Sequence, residues 1–391
     1  MPPSAAAPPR ARLLTPPFLV VGFATLVYFV AAGVLLPTVP RFVDGPLGGG
    51  DVAVGIVVGA FSLTAFLLRP FAGRLGDRRG RRLLMLAGAA VFAASVAGYL
   101  VAGSAPAMVV LRLLTGAGEA LFFVGAASAI NDLAPEERRG EAVSFFSLSL
   151  YVGIGVGPLI GEAVIQGGSF APAWLISAGC AVAAALLAIP VPDTRPAGDG
   201  AEGGHRLVHP AGLVPGGILL TTIWGVAGFY AFMPLYAPQA GLDGSRLLFL
   251  VFSAIVIAIR SIGARIPDVL GPENTSRLSL VGLASGLALF GLWRSPAGLF
   301  VGVAVLALGQ ALSFPGLMML ALRGTAPAER GAVIGTFTAF VDLGFGLGPA
   351  TLGFVAAAVG YPGTFLAGAA VAGAGLAALV ARYGVLRVRN G

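Results

Sequence analysis

The 391-residue sequence has no lysine, a single cysteine and few charged residues, which make up 10% of the chain. A soluble domain carries about 25% charged residues, so this chain has too little charge to cover a surface that faces water. Without lysine it has no phosphate-binding Gly-Lys-Ser/Thr loop, which excludes ATP hydrolysis by such a loop. Because Cys180 stands alone, disulfides and cysteine-rich metal sites are excluded as well.

Apolar residues are abundant instead. They make up 57% of the sequence, and the mean hydropathy is +0.92, so the solvent of this chain is mostly lipid. All 24 basic residues are arginine and the net charge is +7, but no basic stripe with interleaved aromatics indicates a nucleic-acid partner. No small-residue cleavage site follows a modest apolar core near the start, so the first apolar run is expected to remain as a helix.

Long apolar runs alternate with short connections that carry arginine. Because a helix needs about 20 residues to cross the hydrocarbon core, we predict an all-α integral membrane protein with twelve transmembrane helices. The predicted spans are 17–40, 52–72, 83–103, 106–131, 141–166, 170–191, 212–238, 246–267, 276–293, 297–322, 331–359 and 362–384. The polar stretch 193–210 is expected to be a cytoplasmic linker between an N-terminal six-helix bundle (1–192) and a C-terminal six-helix bundle (211–391).

The two predicted bundles resemble each other at a shift of 191 residues. The aligned pairs include Arg69 with Arg260, Arg74 with Arg265, Asp77 with Asp268, Gly118 with Gly309, and Gly157-Pro158 with Gly348-Pro349. Chance similarity of small-residue segments explains the glycine matches better than the Arg and Asp matches, so we favour duplication. A parallel repeat predicts pseudo-two-fold symmetry about the membrane normal, with a small-molecule substrate between the halves near the midplane.

The placement of arginine predicts the orientation. If both termini are cytoplasmic, the predicted cytoplasmic segments hold eighteen arginines and the opposite side holds three, Arg41, Arg246 and Arg294. This bias follows the positive-inside rule. The 59 glycines, the 28 prolines and the arginine-only basic residues are typical of a GC-rich bacterial genome. We therefore expect a multi-pass protein of a bacterial inner membrane.

The connection between the second and third spans resembles the signature loop of the major facilitator superfamily. The loop runs Gly73-Arg74-Leu75-Gly76-Asp77-Arg78-Arg79-Gly80-Arg81-Arg82. The resemblance implies a gating motif made by Gly73, Asp77, Arg78, Gly80, Arg81 and Arg82. It also implies that Asp77 contacts the start of the eleventh span, near Gly331, and stabilises the outward-facing state. The alternative for Asp77 is an anchor that only sets topology.

Two further segments resemble the twelve-helix drug:proton antiporters of that superfamily. Gly33 to Pro40 is similar to the end of their first helix. The fifth span is similar to their antiporter motif, with Gly153, Gly157, Pro158 and Gly161 as the implied residues. This chain has Gly161-Glu162 where the family has two glycines, and a degenerate copy follows in the eleventh span. The motif therefore indicates either export or a packing surface inherited by duplication.

Proton coupling requires a group within the membrane that changes between charged and neutral forms. Glu119 and Asp342 are the two carboxylates near the middle of predicted spans. Arg112 precedes Glu119 by two helical turns, in a segment that resembles the family's fourth helix, where the arginine is associated with proton transfer. Burial favours the neutral acid and a nearby arginine favours the charged one. We therefore predict Glu119, Arg112 and Asp342 as proton-coupling residues, with a structural polar contact as the alternative for each acid.

Side chains on the first, fourth, seventh and tenth spans are expected, from the family, to line the substrate cavity. These side chains are Tyr28, Phe122, Phe123, Tyr230, Tyr236, Gln310 and Phe314. Apolar walls suit a hydrophobic, neutral or cationic substrate, and plain packing is the alternative. Arg69 and Arg260 lie near the cytoplasmic ends of their spans and are expected to snorkel to the membrane surface.

The sequence thus predicts a proton-coupled efflux carrier for small, drug-like organic molecules, acting as a monomer in membrane lipid without a cofactor. An importer or facilitator of a sugar or another metabolite is the alternative. A membrane-embedded enzyme is disfavoured, because no His/Asp/Glu cluster and no activated Ser or Cys has catalytic spacing.

The orientation is testable by cysteine labelling, with Cys180 replaced first. Cysteines introduced at Gly200 and Arg389 should be shielded from an impermeant thiol reagent in intact cells, and one introduced at Gly49 should react. The expectation follows from the arginine bias. Labelling of Gly200 from outside would refute the orientation with both termini in the cytoplasm.

Overall fold

The computed structural model describes residues 12–165, 168–194, 208–263, 266–326 and 329–384. Within these ranges the chain consists of helices, turns and bends, without strands. Ten of the described helices are long and apolar enough to cross a membrane. The prediction of an all-α membrane protein is therefore confirmed. Most of the predicted linker, 195–207, lies outside the described residues, so the domain boundaries stay predictions.

Six long helices precede that linker. They are α1 (Pro16–Asp44), α2 (Gly50–Arg79), α3 (Arg81–Gly98), α4 (Ala105–Leu133), α5 (Arg139–Val164) and α6 (Ala171–Ala188). Each covers the predicted span within a few residues, apart from α2, which extends seven residues beyond it. This extension carries the gating motif as helix as far as Arg79, and Gly80 then reverses the chain with φ 93°, a value that glycine tolerates.

The second half of the chain has six further helices. They are α7 (Pro210–Gln239), α8 (Arg246–Ile262), the short α9 (Ile266–Leu270), α10 (Pro272–Leu292), α11 (Pro296–Leu322) and α12 (Arg330–Tyr383). The predicted eighth span is divided between α8 and α9. The last two predicted spans form one element, α12, which is interrupted at Gly360, where φ is 73° and ψ is 175°.

Packing is dense within each half. In the first half, α1 packs against α5 and α6, α3 against α4 and α6, and α2 against α4. In the second half, α7 packs against α12, α10 against α11 and α12, and α8 against α11. The two halves meet where α2 contacts α12, α5 contacts α8, and α1 contacts α7. Any residue that couples the halves has to lie on one of these three contacts.

Several local contacts recur 191 residues apart. A Cβ added to Gly118 would lie 2.6 Å from Phe92 N, and a Cβ added to Gly309 would lie 2.7 Å from Leu283 N. The helix starts repeat in the same way, because Ser104 Oγ accepts a hydrogen bond from Ala107 N and Ser295 Oγ accepts one from Gly298 N. The aligned sequence positions thus make equivalent contacts in both halves.

Glycine allows α5 to approach α1 at backbone distance. A Cβ added to Gly157 would lie 2.5 Å from Gly33 Cα, and its counterpart on Gly348 would lie 3.1 Å from Trp224 Cα of α7. The antiporter-like motif and its degenerate copy therefore both form packing surfaces against the first helix of their own half. This finding favours the packing interpretation of the motif, and its connection with export stays a prediction.

Replacing Gly157 by alanine should lower the melting temperature of the detergent-solubilised protein, because the methyl group meets backbone atoms that have little room to move. Overpacking of this kind costs about 1–3 kcal/mol. Gly179→Ala is the matched control, since Gly179 has open space around its Cβ position and alanine is the better helix former. Equal melting temperatures for the two variants would contradict the close approach of α1 and α5.

Candidate functional site

A buried ion-pair cluster joins the two halves at the contact between α2 and α12. Arg69 of α2 donates from Nη2 to Glu119 Oε1 of α4 at 3.2 Å and lies 3.0 Å from Asp342 Oδ2 of α12 through Nη1. The side chains of Glu119 and Asp342 are 7% and 8% exposed, and that of Arg69 is 25% exposed. We call these three residues the central cluster.

The local sequence explains how the cluster forms. Glu119 follows Gly118, which brings α4 close to α3, and it lies on the face of α4 that packs against α2. The guanidinium of Arg69 lies over the ring of Phe123, 4.6 Å from its centroid, one turn beyond Glu119 on the same helix. Phe123 thus supports the arginine from below while the carboxylates hold its edge.

The cluster carries two carboxylates for one arginine. With both acids ionised its net charge is −1, and one added proton makes it neutral. Two carboxylates that share a site are hard to ionise together, which makes the pair a natural place for a single transferable proton. The structure therefore brings together the two acids predicted from their depth in the membrane, and it adds an arginine that the sequence did not identify.

Two expectations about arginine are wrong. Arg69 does not snorkel, because two carboxylates satisfy its charge inside the protein. Arg260 does not snorkel either, since its guanidinium lies over the ring of Tyr151 of α5, 4.9 Å from the centroid. In both cases a partner on the opposite half attracts the arginine more strongly than the membrane surface does.

Arg112, the third predicted coupling residue, lies apart from the cluster. Its Nε donates to Val57 O at 3.3 Å, and its guanidinium lies over the ring of Phe61 at 4.7 Å. Arg112 therefore acts on Glu119 only through the intervening turns of α4. No printed contact joins the two side chains among the described residues, and the coupling role of Arg112 stays a prediction.

A second set of contacts closes the end of the molecule where α1 finishes. Glu162 accepts hydrogen bonds from Ser245 N at 2.9 Å, Ser245 Oγ at 2.6 Å and Arg246 N at 3.0 Å, and it pairs with Arg41 at 3.2 Å. The carboxylate of α5 thus caps the start of α8, where the helix dipole favours negative charge. Sequence reasoning missed this role, although the departure from a glycine pair at Gly161-Glu162 was its signal.

Further bonds between the halves occur at the same end. Arg41 Nε donates to Pro234 O at 3.2 Å, and Tyr361 Oη donates to Asp51 Oδ1 at 2.8 Å. Among the described residues, the hydrogen bonds and ion pairs that link the two halves all lie at this end or in the central cluster. The Arg41 end is thus closed, and the opposite end is held by no such bond between described residues.

The gating motif lies at that opposite end. Asp77 pairs with Arg81 at 2.7 Å, and Arg81 also donates to Asp132 Oδ2 at 3.2 Å. A Cβ on Gly80 would overlap the Asp193 carboxylate. Gly73 has open space around it, and Arg78 and Arg82 are exposed. In this conformation Asp77 binds within its own half, and its predicted contact with the start of α12 stays a prediction.

The aromatic residues predicted for the cavity fall into two groups. Tyr28 and Phe122 are fully buried and stack on each other with ring centroids 3.9 Å apart, so in this conformation they pack inside the first half. Tyr230 and Tyr236 are buried too, and Tyr236 donates to Phe290 O at 2.8 Å. Phe123 and Phe314 are half-buried, and Phe123 contacts the central cluster.

These features define a multi-pass membrane protein with a charged site between two packed halves. Residues 21–321 match the family model of the Major Facilitator Superfamily, and the chain belongs to this superfamily. The resemblance of the loop before α3 is thereby confirmed at the level of the superfamily.

Relatives cover nearly the whole chain. An uncharacterized MFS-type transporter of Salmonella typhimurium is 28% identical over 366 residues, which are 89% of this chain and 92% of that protein. An uncharacterized MFS-type transporter of Burkholderia mallei is 29% identical over 378 residues, which are 92% of this chain and 90% of that protein. The protein is thus an MFS-type transporter with bacterial relatives.

Solved structures share the fold at low sequence identity. The human organic anion transporter MFSD10 (TETRAN) has a TM-score of 0.71 at 19% identity, covering 93% of this chain and 100% of that chain. The nucleoside transporter NupG has a TM-score of 0.72 at 15% identity, covering 95% and 100%. At these identities the likeness extends to the fold alone.

The central cluster makes a prediction about stability. Arg69→Gln should destabilise the protein by about 3 kcal/mol, because the change leaves two buried carboxylates without their cation. Adding Glu119→Gln and Asp342→Asn to that variant should recover most of the loss, since the remaining groups are neutral. Thermal unfolding in detergent measures both effects, with the exposed Arg382→Gln as the control for loss of one positive charge. A triple variant as unstable as Arg69→Gln would contradict the proposed charge balance.

Proposed function

We propose that the protein is a proton-coupled secondary transporter that exports small organic, drug-like molecules by alternating access. It works as a monomer in membrane lipid without a cofactor, and Glu119 and Asp342 share the transferred proton. The observation that carries this proposal is Arg69 between two buried carboxylates, one from each half. A buried ionisable cluster inside a membrane protein is costly and is a functional site by default.

The cluster links the proton to movement of the halves. Arg69 and Glu119 belong to the first half, and Asp342 belongs to the second. A proton on Asp342 weakens the attraction between α2 and α12, while Arg69 keeps its bond to Glu119. Because a ligand shifts a conformational equilibrium only through different affinities for the two states, a proton that breaks this contact favours the state in which α2 and α12 separate.

The architecture that supports this cycle is twelve spans in two six-helix bundles. In addition to the ten helices that meet the length and hydropathy criteria, α8 contributes 17 residues, and Gly360 divides α12 into two spans, 330–359 and 361–383. We place the linker and both termini in the cytoplasm from the arginine bias. The closed Arg41 end then faces outside, and the described conformation is inward-facing.

This placement gives the gating motif its proposed part in the cycle. When the cytoplasmic end closes, Asp77 exchanges its bond to Arg81 for the start of α12 and stabilises the outward-facing state. The exposed position of Asp77 in the described conformation leaves it free to make this exchange. Arg112 completes the proposed coupling group as a fixed positive charge on the helix of Glu119.

Export is supported by the similarity of the first and fifth helices to the drug:proton antiporters. The alternative is an importer or facilitator of a sugar or another metabolite, and the packing role of Gly157 and Gly348 keeps it open. Uptake of candidate substrates into inverted vesicles, with and without an imposed pH gradient, separates the two directions.

Proton coupling is tested by removing one carboxylate at a time. Glu119→Gln and Asp342→Asn should each abolish transport driven by a pH gradient while substrate exchange at equal pH continues. The amide keeps the size of the side chain but cannot change charge. The measurement is transport in proteoliposomes, with and without the gradient.

The control for this test is Glu141→Gln, which removes a carboxylate paired with Arg138 on the exposed first turn of α5. That variant should keep its response to the gradient. If neither membrane carboxylate alters the pH dependence, the protein is a facilitator or uses another ion, and the proposal of proton coupling fails.

A further inference from the structure

The counterpart of the central cluster in the second half has an arginine but no acid. At a shift of 191 residues, Arg69 corresponds to Arg260, and Glu119 corresponds to Gln310. Asp342 corresponds, by the reverse shift, to Tyr151. Both carboxylates of the first site are thus replaced by neutral groups in the second, while the cation is kept.

The observed contacts support this correspondence. Arg69 of α2 reaches Asp342 of α12, and Arg260 of α8 reaches Tyr151 of α5. The glycines around them repeat as well, because a Cβ on Gly346 would contact Ser62 Cβ at 3.8 Å and a Cβ on Gly155 would contact Ser253 Cβ at 2.8 Å. Arg260 therefore occupies the mirror position of Arg69 between the halves.

Arg260 lies at membrane depth rather than at the surface. Tyr151 is eleven residues before Glu162, which caps the closed end, so it lies roughly 16 Å of helix inside that end. The Nε atom of Arg260 is buried without a hydrogen-bond partner. Among the described residues the guanidinium makes no hydrogen bond and no ion pair, and the Tyr151 ring is its printed contact.

Gln310 provides an independent sign of an unfilled polar site. Its side chain is 7% exposed, and Oε1 is buried without a partner. It lies on α11, the helix that packs against α8. A buried amide is normally hydrogen-bonded, and its mirror residue Glu119 is bonded to Arg69. An arginine and an amide that both lack partners indicate a group that is supplied from outside the protein.

The charges deep in the helices favour a negative group. The central cluster is −1 when both acids are ionised, and Arg112 offsets that charge, which leaves Arg260 unbalanced. An unpaired charge at this depth is costly unless a counter-charge binds. A guanidinium presents a planar set of donors that matches a carboxylate in bidentate geometry.

We propose that Arg260, Gln310 and Tyr151 bind the anionic head of the transported molecule, so that the substrate is a small organic monoanion, such as an aromatic carboxylate. Arg260 and the Gln310 amide donate to the carboxylate, and the Tyr151 ring supports the guanidinium from the opposite half. This identification of the substrate class rests on the proposed transport function. It replaces the expectation of a neutral or cationic substrate with an apolar molecule that carries one negative charge.

The test uses three molecules of the same shape and different charge, which are benzoate, benzamide and benzylammonium. Binding to the full-length protein in nanodiscs is measured by equilibrium dialysis, with empty nanodiscs subtracted. Benzoate should bind saturably and about tenfold or more tightly than benzamide, the ratio expected for one charge-assisted hydrogen bond. Equal affinity for the three molecules, preference for benzylammonium, or no saturable benzoate binding at millimolar concentration overturns the proposal.

Two variants assign the binding to Arg260. Arg260→Gln should abolish the preference for benzoate, and the exposed Arg382→Gln, which loses the same charge, should retain it. Tyr151→Asp should also abolish it, because the new carboxylate pairs with Arg260 as Asp342 pairs with Arg69. That variant keeps a satisfied ion pair and so guards against loss of folding as the explanation. Unchanged benzoate binding in folded Tyr151→Asp would place the anion elsewhere and overturn the assignment.

The binding test is separate from the test of proton coupling. If Arg260-dependent benzoate binding is found while Glu119→Gln and Asp342→Asn leave the pH dependence of transport unchanged, the anion site stands and the proton proposal fails. If coupling is lost in those variants but benzoate does not bind, the proton site stands and the anion site fails.

Discussion

The architecture of the site depends on one guanidinium held in a poorly hydrated interior. Arg69 is too costly to bury alone, and its two carboxylate partners come from different helices and different halves. The bond to Glu119 is internal to the first half, whereas the bond to Asp342 crosses to α12. A single side chain therefore stabilises one bundle and joins it to the other, and any change in its charge balance is felt as a change in the contact between halves. Phe123 completes the site by covering the flat face of the arginine.

Glycine makes this arrangement possible. For Arg69 to reach Asp342, α2 and α12 have to run at backbone distance, and Gly346 lies against the backbone of Gly59. Gly118 similarly lets α4 approach α3, next to Glu119. In lipid, helices gain little from burying apolar surface against one another, so close van der Waals packing through small residues carries much of the association. The same glycine contacts recur 191 residues later, which explains why the motif in α5 and its copy in α12 are better understood as packing surfaces than as a specific sign of export.

Much of the fold was predictable because membrane helices reveal themselves by hydropathy, and the predicted spans match the helices closely. The division between α8 and α9 was missed because apolar residues continue through a short helix. In the site, depth along a span correctly singled out Glu119 and Asp342. The part of Arg69 was not predictable, since its partners are 50 and 273 residues away in sequence and only the packing of α2 between α4 and α12 brings them together. Arg112 was assigned to Glu119 by helical spacing, but its long side chain turns to Val57 and Phe61 instead. Glu162 was left among helix-end residues because its partners are on another helix.

The two halves have diverged in charge while keeping their packing, and this asymmetry bears on the direction of transport. A proton on the central cluster makes the interior more positive and so favours an anion at Arg260. Direct electrostatics therefore promotes joint occupancy by a proton and an anion, which suits uptake down a proton gradient. Export of an anion in exchange for protons requires the two to occupy different conformations. The structure offers a means for this separation, because the proton acts on the Arg69–Asp342 contact between α2 and α12, whereas the anion acts on the Arg260–Tyr151 contact between α8 and α5. The balance between these two helix contacts, rather than competition at one site, then sets the direction in which the carrier works.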